Sequence, residues 1–216
     1  MEKRNRKTLA IGFILLTAFV LWTLAVRFFD VQAIGANQTT VGFASLNGAF
    51  HALSGVHMTL YTVTDWLGLV PIFFAVAFAL LGLFQMLRRK SLFKVDRSLI
   101  ALSIFYLTVA AFFLFFEKCV INYRPILIDG KTEASYPSST TLLVLTVMPS
   151  AMMQLYERLK KSRLKQCVLW ALAFFTAFMV IARLCLGVHW LSDIIGGALL
   201  SAALVLLYRY FSRGEV

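Results

Sequence analysis

Six stretches of this chain stay apolar for close to the roughly 20 residues that a helix rising about 1.5 Å per residue needs to cross about 30 Å of hydrocarbon. They fall near residues 8–28, 67–87, 98–116, 138–156, 167–184 and 191–208. The whole composition agrees: 60% of the 216 residues are apolar and 14% are charged. A soluble domain holds about 45–50% apolar residues, so a soluble enzyme, a disordered chain and a disulfide scaffold are excluded. The expected fold is all-α, an integral membrane six-helix bundle forming a single domain over residues 1–216. The first run follows Lys3, Arg4, Arg6 and Lys7 as a signal peptide would. It is longer than the usual apolar core of about 7–15 residues and no A-x-A site follows, so it reads as a retained span.

A net charge of +11 would suggest nucleic acid in a soluble protein. Here position decides. Basic residues cluster in the N-terminal tail, at Arg88, Arg89, Lys90, Lys94 and Arg97, at Arg158, Lys160, Lys161, Arg163 and Lys165, and at Arg209 and Arg213. Six spans put all of these on the side of the termini, which the positive-inside rule makes cytoplasmic. The expectation is a multi-pass cell-membrane protein with membrane lipids as neighbours and no nucleic-acid partner. Arg27, Lys118, Arg124, Lys131 and Arg183 map to the opposite face, where topology does not ask for positive charge. His51, His57 and His189 map there too, with Asp30, Asp65, Glu117, Asp129, Glu133 and Asp193. Any chemistry therefore faces outward. Residues 31–64 hold no Lys or Arg and read as one or two short interfacial helices between the first and second spans. Cys119, Cys167 and Cys185 lack metal-ligand spacing and read as small apolar fillers.

The segment Arg183-Leu-Cys-Leu-Gly-Val-His189-Trp-Leu-Ser-Asp193 concentrates ionisable residues at the edge of an apolar region, where they are expensive. His189 and Asp193 are four apart, so a carboxylate there can orient an imidazole and fix its tautomer. The loop at 117–137 adds Arg124-Pro125 and ends in Tyr136-Pro137-Ser138-Ser139-Thr140-Thr141, a helix-start signature. A helix beginning there offers free N–H groups, hydroxyls and the positive end of its dipole to an anion. Two helix N-termini and two guanidiniums are thus expected around a phosphate.

This pattern resembles the type 2 phosphatidic-acid phosphatase family of membrane lipid phosphatases, which shares its active-site plan with vanadium haloperoxidases. The family carries K-x6-R-P, P-S-G-H and S-R-x5-H-x3-D. The third motif matches as Arg183, His189 and Asp193, with Ala182 in place of the leading Ser. The second matches as Pro137-Ser138 but continues Ser139-Thr140 where the family has Gly-His. The first matches as Arg124-Pro125, with Glu117 at the Lys position and Lys118 one place too close. The resemblance implies that His189 attacks phosphorus to form a phosphohistidine while Asp193 holds the ring. It further implies that Arg124 and Arg183 bind phosphoryl oxygens with Ser138, Ser139 and Thr140, and Lys118 is a further candidate. No metal and no cofactor are implied, since the spare carboxylates form no ligand cluster and the arginines supply the countercharge.

Thr140 stands where the family has its general acid, and a threonine cannot donate a proton near neutral pH. Loss of such an acid costs about 10²–10⁴ in rate when the leaving group is poor. An alkoxide is the conjugate base of an acid about as weak as water; a phosphate monoester has a second pKa of about 6. The substrate expected on this ground is an isoprenoid pyrophosphate of the undecaprenyl type, whose departing lipid monophosphate needs no proton. His51 or His57 folding over the site is the rival explanation. Asp65 is a candidate for positioning an arginine, and Glu117 is expected to pair with Arg124 or Lys118. Alternatives to hydrolysis are a lipid phosphotransferase and a catalytically impaired lipid-phosphate binding or transport protein.

Overall fold

The computed structural model describes residues 2–212, with side chains from residue 6 onward. Arg213 and the side chains of Lys3 and Arg4, counted above with the basic residues of the inner side, lie outside the described residues. The chain forms α1 (Glu2–Phe28), α2 (Ala44–Ser54), α3 (Met58–Leu67), α4 (Leu69–Arg89), α5 (Arg97–Lys118), α6 (Ser139–Arg158), α7 (Arg163–Cys185) and α8 (Leu191–Ser212). The six expected spans coincide with α1, α4, α5, α6, α7 and α8. Among the described residues, five segments are long and apolar enough to cross a membrane: 6–28, 58–89, 97–118, 163–185 and 191–212.

α6, the remaining expected span, is not among these five. Its sequence includes Ser139, Thr140, Thr141, Thr146, Ser150 and Gln154, which dilute its hydropathy. That polarity is handled internally. The Thr146 hydroxyl donates to the Leu142 carbonyl at 2.6 Å and the Ser150 hydroxyl to the Thr146 carbonyl at 2.9 Å, and the helix is packed against α4, α5, α7 and α8. A helix surrounded by protein can carry such groups without exposing them to lipid. The interfacial segment also differs from expectation. α2 is a separate short helix, whereas α3 runs through a helical Gly68 (φ −59°, ψ −17°) straight into α4.

α8 is the central element, packing on α1, α6 and α5. Its small residues permit close approach, as membrane helix interfaces require. A Cβ added at Gly196 would lie 2.6 Å from the Tyr136 ring, and one at Gly197 would lie 3.2 Å from the Ser138 carbonyl oxygen. The connection that precedes α6 is thereby seated against the start of α8. Trp22 of α1 donates its indole N–H to the Ser192 carbonyl at 3.0 Å.

At the end carrying the termini, Asp96 gathers three helices. Its carboxylate accepts from Gln85 at 2.8 Å and pairs with Arg89 at 3.1 Å and Arg158 at 3.0 Å. Gln154 donates onward to the Tyr208 hydroxyl of α8 at 2.6 Å. The Gln85 hydrogen bond first, and then the Arg158 and Arg89 guanidiniums, hold the Asp96 carboxyl below the usual aspartate range.

Candidate active site

Between α5 and α6 the chain folds back as an irregular hairpin. Ile128 and Lys131 exchange backbone hydrogen bonds of 3.1 and 2.9 Å across Asp129 (φ 48°) and Gly130 (φ 72°). Two successive residues with positive φ make the type I′ turn that suits a tight hairpin, and Asp-Gly is a favoured pair for it. The pairing sets Arg124 opposite Glu133: the Arg124 N–H donates to the Glu133 carbonyl at 3.0 Å, and Nε lies 3.1 Å from Glu133 Oε2. Of the two partners expected for Glu117, Arg124 is thus paired with Glu133. Glu133 is adjacent across the hairpin, whereas Glu117 sits at the end of α5 and lines a cleft beside Arg124.

The connection from α7 to α8 is pressed onto the α2–α3 connection. Gly187 has φ +65°, and a Cβ there would lie 1.8 Å from the Gly55 carbonyl oxygen. Only glycine fits both demands. The His57 N–H donates to the Leu186 carbonyl at 3.1 Å, which fixes the start of α3 against the same connection. His51 Nε2 lies 3.0 Å from the Gly187 carbonyl, and exposed His57 has Nε2 3.0 Å from the Ser54 carbonyl. Both rings are engaged with backbone outside the cluster described next.

His189 is 4% exposed. Its Nδ1 is 3.2 Å from the Ser135 carbonyl oxygen, an acceptor, so Nδ1 carries the proton and Nε2 keeps its lone pair. Asp193, expected to hold the ring, has Oδ2 4.0 Å from Nδ1. That carboxylate is occupied: Oδ2 accepts the Trp190 N–H at 3.0 Å and Oδ1 accepts from Asn122 at 3.1 Å. With Trp190 as N-cap, Asp193 is the third helical residue and makes the reach-back of a capping box. Asp193 therefore holds the helix start, and the Ser135 carbonyl orients the ring. Burial, then the charges of Arg124 and Arg183, push His189 well below the ordinary histidine value of 6.5. The ring is neutral at neutral pH.

Buried polar atoms are normally paired. Among the described residues, six buried side-chain atoms have no hydrogen-bond partner: Nε and Nη1 of Arg124, Oγ of Ser135, Nε and Nη2 of Arg183, and Nε2 of His189. They come from the hairpin, the end of α7 and the start of α8. Tyr61 of α3 links the two arginines, its ring centroid 5.4 Å from Arg183 Cζ and 6.0 Å from Arg124 Cζ. Asp65, one turn on, has Oδ1 3.9 Å from Arg183 Nη2, in keeping with the positioning role considered for it. Arg124 Nε is taken by the Glu133 ion pair; Arg124 Nη1, both Arg183 nitrogens and the lone pair of His189 Nε2 stay dry and unpartnered, a set suited to a tetrahedral oxyanion.

The remaining expected residues surround this cluster unevenly. Ser138 is buried, its amide donating to the Asp193 carbonyl at 3.0 Å and its hydroxyl accepting from Thr141 at 3.0 Å. Ser139 lines a cleft of about 250 Å³ shared with Glu117, Arg124 and Ser135. Ser139 and Thr140 also line a second cleft of about 500 Å³ between α4, α5 and α6, walled by Leu69, Ile72, Val109 and Leu143. Both residues stand in the first turn of α6, where helices leave amides without intrahelical partners. Lys118 is exposed at the end of α5. Ser135 and Tyr61 were not anticipated from sequence. Asp129-Gly130 was a legible hairpin signal; nothing local marks Tyr61.

Residues 117–215 match the model of the PAP2 superfamily. Comparison with curated proteins gives no match. Among solved structures, the crystal structure of a transmembrane PAP2-type phosphatidylglycerolphosphate phosphatase from Bacillus subtilis is similar in fold. Its TM-score is 0.62 at 20% sequence identity, over 94% of this chain and 98% of that one. The matched stretch contains Arg124, Ser135, Arg183 and His189, and the likeness to the solved phosphatase is one of fold.

Proposed function

We propose that the protein is a membrane lipid phosphatase acting through a phosphohistidine on His189. The observation that carries this reading is that Arg124 Nη1 and Arg183 Nε and Nη2 are buried without hydrogen-bond partners, as is the lone-pair nitrogen His189 Nε2. Nε2 attacks phosphorus, the P–O bond to the leaving group breaks, and the guanidiniums hold the non-bridging oxygens as charge builds on them. The Ser135 carbonyl keeps the proton on Nδ1, and Asp193 at 4.0 Å stabilises the charge the ring acquires. Water then attacks phosphorus, the P–N bond breaks with its electron pair returning to Nε2, and phosphate leaves as the water's proton passes to it or to solvent. The chemistry faces the outer side of the cell membrane, with the termini cytoplasmic, in keeping with the distribution of basic residues.

Substrate preference follows from Thr140. With no acid at that position, an isoprenoid pyrophosphate, which expels a phosphate monoester, is favoured over a lipid monophosphate, which must expel an alkoxide. The apolar cleft beside Ser139 and Thr140 supports lateral access of the lipid chain from the bilayer. The test is phosphate release from a panel of lipid mono- and diphosphates of matched detergent partitioning, with His189→Ala in parallel. Faster release from the pyrophosphate, abolished in His189→Ala, is expected. Equal rates on phosphatidic acid would refute the leaving-group argument, and binding without any turnover would refute the enzyme.

A further inference from the structure

We infer that Tyr61 is a positioning residue, an aromatic clamp that holds the Arg124 and Arg183 guanidiniums in the arrangement that receives the phosphoryl group. The inference rests on the phosphate-site reading above and extends it to α3, outside the 117–215 stretch matched by the family model. Two positive charges facing one anion repel each other whenever the anion is absent. Arg124 is held at Nε only, by Glu133 at 3.1 Å, and Arg183 is held more loosely still. Arg183 has one carboxylate, exposed Asp65, at 3.9 Å, and Arg124 has half-exposed Glu133. What both share is the ring of Tyr61, at 5.4 and 6.0 Å from their Cζ atoms. Both distances fall within the about 6 Å range in which the negative face of an aromatic ring attracts a cation.

The backbone fixes where that ring sits. The His57 N–H donates to the Leu186 carbonyl at 3.1 Å, so α3 is registered against the connection that carries His189. Tyr61 and Asp65 are four residues apart and lie on one face of α3. One helix therefore delivers an aromatic face and a carboxylate to the same arginine. The ring keeps two like charges side by side without consuming their N–H donors, which stay free for the substrate.

The probe is inorganic orthovanadate, a mimic of pentacoordinate phosphorus, with binding measured on the full-length protein in detergent and kcat and KM on a lipid pyrophosphate. Tyr61→Phe and Tyr61→Trp keep an aromatic face; Tyr61→Leu removes it. Vanadate affinity within about threefold of wild type is expected for Phe and Trp, with loss of roughly tenfold or more for Leu, as two cation–π contacts imply. The Leu loss should appear in KM as well as kcat while the thermal unfolding midpoint stays near wild type. Unchanged affinity in Tyr61→Leu would overturn the clamp. Equal impairment of Phe and Leu would also overturn it, transferring the role to the hydroxyl. If wild type itself neither binds vanadate nor releases phosphate, the phosphate-site reading fails and the clamp with it. Should Tyr61→Leu unfold early, the comparison of Phe and Trp with wild type still decides, because an impaired Trp variant refutes a role for the ring face.

Discussion

Replacing Arg183 with methionine should move stability and activity in opposite directions. Arg183 is 1% exposed, yet Nε and Nη2 have no hydrogen-bond partner and its one carboxylate neighbour stands 3.9 Å away. A buried ion pays a desolvation penalty of several kcal/mol that poor pairing does not return, and well-packed apolar replacements of buried charges are often neutral or stabilising by about 1–4 kcal/mol. Methionine has similar reach and adapts to irregular space, so Arg183→Met should raise the unfolding midpoint or leave it unchanged, at about 2–4 °C per kcal/mol gained for a chain of this size. Turnover should fall by about 10²–10³ or more, the loss seen when one preorganised donor to a developing oxyanion is removed. The assay is thermal unfolding in detergent with and without orthovanadate, beside phosphate release. Vanadate at 100 times its dissociation constant should stabilise wild type by about 2.7 kcal/mol and Arg183→Met far less. A variant that unfolds many degrees early while keeping its activity would refute the reasoning, because Arg183 would then be an ordinary structural residue.

Three other outcomes are expected. Thr140→His should raise hydrolysis of a lipid monophosphate by up to about 10²–10⁴, the range of a general acid, and change pyrophosphate hydrolysis little; equal gains on both would refute the leaving-group argument. Because His189 is held well below 6.5 in the folded protein, the unfolded chain takes up its proton first as pH falls. Stability from this residue is therefore complete above about pH 6.5 and declines below it, while the acid limb of kcat/KM lies below 6.5; unfolding and rate profiles over pH 4–8 check both. Gly187→Ala places a Cβ 1.8 Å from the Gly55 carbonyl at φ +65°, so about 1–3 kcal/mol of strain and a loss of turnover are expected, read from unfolding midpoints and phosphate release.

Much of this architecture was legible before any coordinates. The spans were, because long apolar runs have few alternatives, and so was the spacing of Arg183, His189 and Asp193, because it lies within one stretch of chain. Pro137-Ser138 announced the start of α6 by local chemistry alone. The partners that give these residues their roles were not legible. Asp193, expected to hold the His189 ring, stands 4.0 Å from it and also accepts from Trp190 and Asn122, and Asn122 reaches it from 71 positions away. The Ser135 carbonyl orients the ring through a backbone atom, which carries no residue signature at all. Tyr61 touches both arginines only because α3 docks on the α7–α8 connection. Periodicity reports which face of a helix is apolar; it does not report what that face meets.

The polar fastening around Asp96 ties α4, α5 and α6 together at one end of the bundle, with α8 joined through Gln154 and Tyr208. Among the described residues no ion pair joins α4 to α6 at the far end, where an apolar cleft lies between them. Separation of α4 from α6 is thus opposed by charged contacts at the Asp96 end and by apolar packing beside the cleft that borders the guanidiniums.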